Sequence, residues 1–170
     1  MDPASIGLAV FSILGLTKAT AKLARTMCIV FRDKDGNILA EIAESVNRLK
    51  THSGVIETAV QGLERKVKNY SELAVVQKLK EGGHIKGIGL EAKVLKRDMN
   101  AVEKRIKSVR WIPEVQWVLR MKAKVDALIP LTTSVQCLLH LAIATISQDI
   151  TRSLPPPQDE RLAEFVQEML

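Results

Sequence analysis

The chain has 170 residues, of which only 4% are aromatic, and Ala, Val, Leu, Ile, Lys and Glu dominate, so a fold built mainly of β-sheet and a chain of two full domains are both disfavoured. The formal net charge of +6 is uneven, because residues 78–124 carry 13 basic and 5 acidic groups whereas residues 125–170 carry 2 and 6. An anionic membrane, nucleic acid or an acidic protein would each suit the basic block, but Trp111 and Trp117 are its only aromatics, which argues against a base-stacking surface.

The first predicted helix begins at Pro3 and runs toward Phe31, with Asp2 as its N-cap. Its first half is apolar on nearly every side, and its second half carries a basic stripe with i, i+4, i+7 spacing. The stripe consists of Lys18, Lys22 and Arg25. An apolar tip followed by a basic collar is typical of a segment that inserts into a bilayer and leaves its cations at the headgroups. A central bundle helix whose exposed end carries three cations is the alternative, and the pattern leaves both open.

A lone transmembrane helix is not expected at this end of the chain. The uncharged run over residues 3–17 would extend about 22 Å as a helix, which is shorter than a bilayer core of roughly 30 Å. The run is long enough to embed partly, or to span as one member of an assembly that thins the bilayer.

The second predicted helix is long. After a polar turn over residues 32–37, apolar residues recur at alternating steps of three and four over residues 39–70, with one interruption at Ser53. This periodicity predicts a helix about 50 Å long whose apolar seam serves packing. The following glycine-rich stretch, residues 82–89, is predicted to be a flexible loop. Residues 87–92 match a dinucleotide-binding pattern, but we reject that site because no strand precedes it.

A further helix is predicted over residues 90–109, apolar on one face and basic around the others. Its cations are Lys93, Lys96, Arg97, Lys104, Arg105 and Lys107. Pro130 is expected to kink or divide the helix that follows. The very apolar segment over residues 131–146 is expected to wrap the first helix. Both cysteines, Cys28 and Cys137, lie in apolar stretches and are expected to be buried free thiols.

The last residues differ from the rest of the chain. Residues 154–158 form a stiff proline linker, and residues 159–170 predict a short amphipathic helix. Its apolar side carries Leu162, Phe165, Val166 and Met169. The sequence therefore predicts an all-α bundle of four to six helices over residues 1–153, with a long second helix and a kinked helix at Pro130, followed by the linker and short helix over residues 154–170.

No group of residues has the spacing of a catalytic, nucleotide-binding or metal site. Paired carboxylates, a Cys-His or Ser-His signature, a Walker loop and metal-ligand spacing are all missing from the sequence. We therefore predict a non-enzymatic protein that needs neither a metal nor another cofactor.

Three stretches of the sequence resemble the fungal HeLo-like amino-terminal domains. They are MDPASIGLAVFSILGLTKATAKL at the start, VRWIPEV at residues 109–115 and LRMKAKVDAL at residues 119–128. The resemblance covers roughly residues 1–150. HeLo-like domains stand at the front of fungal nucleotide-binding immune-receptor-like proteins and of other cell-death proteins. They are similar in plan to the four-helix domain of mixed-lineage kinase domain-like protein and to the coiled-coil domains of plant helper immune receptors.

This resemblance implies a helical bundle that executes regulated cell death by oligomerising and permeabilising the plasma membrane through its first helix. The inserting residues would be Ile6, Leu8, Val10, Phe11, Ile13, Leu14 and Leu16. Lys18, Lys22 and Arg25 would contact headgroups, with further anionic contacts at the six cations of residues 90–109. The first apolar helix lacks the acidic residue that lines cation-conducting funnels in some plant relatives, which favours nonspecific leakage over a selective channel.

The implied partners are an anionic phospholipid membrane and further copies of the chain in the activated state. A nucleotide-binding receptor upstream, or a downstream domain in the same chain, would supply the signal, and nucleic acid is not expected. The domain would be cytoplasmic when resting and at the plasma membrane when activated. The alternative is a non-enzymatic adaptor or signalling bundle that binds a protein partner and whose first helix never leaves the core.

Overall fold

The computed structural model describes residues 3–32, 35–108 and 117–153, without the side chains of residues 3–7, 80, 118 and 119. Over these ranges the chain forms five α-helices and one π-helical turn. They are α1 (Pro3–Val30), α2 (Ala40–Asn69), α3 (Ala74–Glu81), α4 (His84–Lys107), the π-helical turn Trp117–Met121 and α5 (Lys122–Ser153). The all-α prediction is confirmed, and so is the long second helix, which has 30 residues. Asp2, Trp111, Pro113 and residues 154–170 lie outside the described residues.

The four long helices form a bundle in which each has two principal neighbours. Helix α1 packs against α4 and α2, and α5 packs against the same two helices from the other side, so α1 and α5 occupy opposite corners. The expectation that the apolar segment over residues 131–146 wraps α1 is therefore wrong. The buried stripe of α5, which includes Val135 and Leu139, faces α2 and α4 instead.

Side-chain contacts fix the register of the helices. Ser53 on α2 donates a hydrogen bond to the carbonyl oxygen of Thr17 on α1 at 3.0 Å. This buried bond explains why a serine interrupts the apolar seam of α2, because it satisfies a polar group inside the core. On the other side of the bundle, the ring of Phe31 meets Trp117 edge to face, with centroids 5.2 Å apart. The end of α1 is thereby joined to the π-helical turn.

Helix α4 begins earlier than the glycine content suggests. The prediction of a loop over residues 82–89 is wrong, because α4 starts at His84 and only the first two glycines precede it. Gly83 has φ +71°, the left-handed conformation that glycine adopts without strain, and it separates α3 from α4. Ile85 and Ile88 are buried one turn apart, so core packing holds the first turn of α4 in helical form.

Helices α1 and α4 approach each other closely at Gly89. An ideal Cβ atom placed there would lie 2.7 Å from the Cα atom of Ala9. The backbones of the two helices therefore approach so closely that only glycine is accommodated without a shift. Gly87, two residues earlier in α4, has open space around it.

Pro130 lies inside α5, which continues from Lys122 to Ser153, so the proline does not divide the helix. Pro130 is exposed. A proline removes a backbone donor and crowds the preceding turn of the helix, and this is best tolerated at the bundle surface.

Candidate functional site

Helix α1 presents one stripe of side chains to solvent and buries the opposite face. Leu8 and Phe11, 67% and 72% exposed, lie at its amino-terminal end, and the exposed cations follow at helical spacing toward its carboxyl end. We call this set the α1 outer stripe: Leu8, Phe11, Lys18, Lys22 and Arg25. The opposite face is fully buried against α2 and α4 at Ile13, Leu16, Leu23 and Met27.

The structure separates the residues that the resemblance marks as membrane-inserting. Leu8 and Phe11 are exposed, and Leu14 is partly buried against the core. Val10, Ile13 and Leu16 are buried in the bundle. The side chain of Ile6 lies outside the described residues. Of the six residues whose side chains are described, therefore, only Leu8 and Phe11 are exposed, and Val10, Ile13 and Leu16 could contact lipid only if α1 left its neighbours.

Basic side chains of α1 and α4 meet in a groove of about 290 Å³ between the two helices. Lys18 and Lys22 contribute from α1, Lys96 contributes from α4, and Phe11 lies in the same groove. Lys96 lies across Gly15, since a Cβ atom placed on that glycine would fall 2.9 Å from the lysine Nζ atom. The small residue lets the Lys96 ammonium group rest on α1. Three cations are thus brought beside an exposed aromatic ring.

A second basic cleft, of about 570 Å³, lies along the outer face of α4. Its cations are Lys93, Lys96, Arg97 and Lys104. Since Lys96 lines both spaces, the positive surface is continuous from the α1 outer stripe to the outer face of α4. Arg97 also contacts the carboxylate of its neighbour Asp98 at 3.4 Å. Arg105, the remaining predicted cation of this group besides Lys107, is exposed on the same helix.

A buried carboxylate, Glu103 on α4, ties α1 to α4. Its oxygens lie 3.1 Å from the Nζ atom of Lys22 and 2.6 Å from that of Lys107, and Thr26 donates a hydrogen bond to it at 3.2 Å. Burial opposes ionisation of this carboxylate, but its hydrogen bonds with Lys107 and Lys22 and their positive charges together lower its pKa below the ordinary value. Lys22 and Lys107 therefore neutralise a buried carboxylate while their own side chains remain exposed.

The sequence reasoning missed Glu103, although a signal was present. Glu103 falls four residues after Met99 and three before Ile106, both fully buried residues on the same helix. An acidic residue at such a position is expected to find a partner, because an isolated buried charge is costly.

The lowered pKa of Glu103 gives a pH dependence whose sign can be worked out. Its stabilising contribution is fully present above the unfolded-state pKa and is lost as pH falls through the lower folded-state pKa. We expect Glu103→Gln to reduce the free energy of unfolding by about 1–2 kcal/mol at pH 7 and by much less at about pH 3. Urea denaturation followed by circular dichroism measures this, with Glu57→Gln, an exposed glutamate on α2, as the control. A Glu103→Gln deficit that is equal at both pH values would contradict the assignment.

Helix α5 carries a second apolar surface that the sequence analysis assigned to the core. Among the described residues it is the one helix long and apolar enough to cross a membrane, although core helices of soluble proteins meet the same criteria. Leu131 and Leu141 on it are 51% and 65% exposed. Cys137 is exposed as well, so the expectation of a buried thiol there is wrong, while Cys28 is partly buried. The uncharged run between Asp126 and Asp149 was the sequence signal for this surface.

No protein-family model, no curated protein and no solved structure matches the chain. The resemblance to HeLo-like domains remains a prediction made from the residues themselves.

Proposed function

We propose that the chain is a membrane-targeting, oligomerising cell-death effector domain that binds anionic membranes through the α1 outer stripe and permeabilises them through α1. The observation that best supports this proposal is the juxtaposition of exposed Leu8 and Phe11 with Lys18, Lys22 and Lys96 on one face of the bundle. Exposed apolar side chains flanked by cations suit the boundary between acyl chains and anionic headgroups.

Docking on the membrane leaves the core unchanged. Each lysine near an anionic surface contributes about 1 kcal/mol, and burial of an exposed Leu or Phe contributes roughly 1.5–3 kcal/mol. Leu8 and Phe11 are exposed in the folded bundle, so they can contact a membrane without any displacement of α1. The resting domain would therefore bind a charged vesicle reversibly, with an affinity that falls as salt is added.

Permeabilisation requires a second step, in which α1 leaves the bundle. Val10, Ile13 and Leu16 are buried in the bundle and would be buried again in the bilayer, so their burial, roughly 1.5–3 kcal/mol each, nearly cancels between the two environments. Leaving the bundle also breaks the bond from Ser53 and the ion pair of Lys22 with Glu103. These contacts favour the docked helix in a single copy, and clustering of several copies on a membrane would favour release.

The first test uses the exposed apolar tips. We expect Leu8→Ser/Phe11→Ser to weaken binding of the full chain to vesicles of phosphatidylcholine with phosphatidylserine by at least tenfold. The reason is that two apolar side chains are lost, each of which contributes about 1.5–3 kcal/mol when it is buried in the membrane. Dye leakage should fall in parallel. Co-sedimentation and leakage assays measure the two effects, and circular dichroism checks that folding is retained.

The matched control is Leu131→Ser/Leu141→Ser, which removes two exposed leucines from α5 at the opposite corner of the bundle. If this variant loses vesicle binding while Leu8→Ser/Phe11→Ser retains it, the membrane contact belongs to α5 and the proposal is wrong. Deletion of residues 2–16 is a poorer test, since it also removes the fully buried Ile13 and Leu16.

The adaptor function is favoured by one observation, the complete burial of Ile13 and Leu16 against α2 and α4. If the folded wild-type chain neither binds nor permeabilises phosphatidylserine vesicles at low salt, the adaptor function replaces the membrane proposal.

A further inference from the structure

An apolar groove of about 710 Å³ runs between α4 and α5. Leu90 and Val94, 56% and 50% exposed, form one wall, and Leu131, 51% exposed, forms part of the other with Leu138. Scattered exposed leucines are ordinary, but a continuous apolar groove of this size marks a binding surface. We call it the α4–α5 groove. A smaller groove of about 410 Å³ adjoins it at Leu138.

The α4–α5 groove lies away from the α1 outer stripe, and it adjoins the basic cleft of α4 at Val94. Helix α1, which carries the α1 outer stripe, occupies the corner opposite α5. The groove therefore needs an occupant of its own.

We propose that the α4–α5 groove is covered by the carboxyl-terminal segment of the same chain, residues 159–170, docked as an amphipathic helix. The segment lies outside the described residues, and its sequence places four large apolar residues at i, i+3, i+4 and i+7 spacing: Leu162, Phe165, Val166 and Met169. That pattern is typical of a helix that lays one face in a hydrophobic groove.

The length of the intervening chain matches the position of the groove. Helix α5 ends at Ser153, and Leu141 lies about 18 Å back along the helix axis. A linker over residues 154–158 in the extended proline conformation spans at most roughly 16 Å, so a chain that reverses at Ser153 brings residue 159 near the smaller groove, which Leu141 lines. The following twelve residues, as a helix about 18 Å long, then lie alongside the groove as far as Leu131.

Charge favours the same pairing. Residues 159–170 contain four acidic groups and one basic group. Val94 of the groove wall also lines the neighbouring basic cleft, so Lys93 and Arg97 flank the groove on the α4 side. Glu91 lies in the groove as well, and Arg161 gives the segment one cation of the opposite sign. An acidic amphipathic segment thus meets an apolar groove with a basic rim.

Cys137 lines the α4–α5 groove and is exposed, so it reports occupancy directly. In the full chain carrying Cys28→Ala, we expect Val166→Cys to form an intramolecular disulfide with Cys137 on mild oxidation. Gln167→Cys, the matched control, changes a residue outside the apolar face and should react at least several-fold more slowly. Non-reducing electrophoresis and thiol counting measure both reactions. A covalent dimer as the main product would show that a second copy of the chain occupies the groove. Equal rates of disulfide formation for the two variants would show that residues 159–170 are not docked there. Either result overturns the proposal.

A second measurement does not depend on the register of the docked helix. Alkylation of Cys137 by iodoacetamide in the Cys28→Ala chain is expected to accelerate several-fold when Phe165→Ser is added, and to remain unchanged when Gln167→Ser is added. Equal alkylation rates with and without Phe165→Ser would overturn the proposal. No lipid is present in either experiment, so these outcomes are independent of the proposed membrane function.

Discussion

Reversal of two charges, Lys18→Glu/Lys96→Glu, is expected to weaken binding of the full chain to phosphatidylserine-containing vesicles by about a thousandfold at low salt. Each reversal replaces an attraction of about 1 kcal/mol by a repulsion of similar size, so the two together change the binding free energy by about 4 kcal/mol. Both lysines line the groove that contains Phe11. Lys22 is left unchanged, because its contact with Glu103 would mix a change in stability with a change in binding.

The control for charge reversal is Lys50→Glu/Lys124→Glu, which produces the same net charge. These lysines are exposed on α2 and α5, and neither lines the groove between α1 and α4. Vesicle co-sedimentation at low and high salt should show a small loss for the control, and the difference between the variants should shrink as salt screens the charges. Equal losses for both variants would show that net charge alone drives the association and that the α1 outer stripe has no special part in it.

The second large effect concerns the close approach of α1 and α4. We expect Gly89→Ala to lower the free energy of unfolding by about 1–2 kcal/mol, because the added methyl group must push the backbone of Ala9 away while the gain in helix propensity offsets only about 1 kcal/mol. We expect Gly87→Ala in the same helix to raise the free energy of unfolding by up to about 1 kcal/mol, since its surroundings are open. Thermal denaturation should therefore shift in opposite directions for the two variants.

The same pair of variants tests the release of α1. If α1 must leave α4 before a membrane is permeabilised, Gly89→Ala should increase dye leakage from phosphatidylserine vesicles at equal bound protein, and Gly87→Ala should not. Reduced leakage by a folded Gly89→Ala variant would contradict release of α1 as the step that precedes permeabilisation.

The first two helices were predicted from the sequence. Helix α1 is helical from Pro3, the first described residue, and α2 extends over the seam that alternates steps of three and four. The start of α4 was missed, because glycine is a poor helix former in isolation and the packing of Ile85 and Ile88 outweighs that preference. Gly89 lies inside the helix because the backbone of α1 passes close to it at Ala9, and helix propensity contains no information on such tertiary contacts.

The candidate site was predictable only in part. Spacing along one helix placed Lys18, Lys22 and Arg25 on a common side, and all three are exposed. The apolar half of α1 is hydrophobic almost all round, so its sequence does not show which side faces the core. That choice depends on α2 and α4, and it leaves Leu8 and Phe11 outside. The contact of Lys22 with Glu103 joins residues 81 positions apart, beyond the reach of local patterns.

The diagonal placement of α1 and α5 determines which contacts would remain if α1 left the bundle. Helix α5 packs against both α2 and α4, so the contacts that hold these three helices together do not involve α1. Along the vacated corner, Met99 and Ser53 would lose the partners they have in Thr20 and Thr17. Helix α1 of an adjacent molecule would fit the vacated site between α2 and α4 in shape and in hydrogen bonding. One-directional swapping, in which each molecule donates its α1 to the vacated corner of the next, would then link molecules into an open chain.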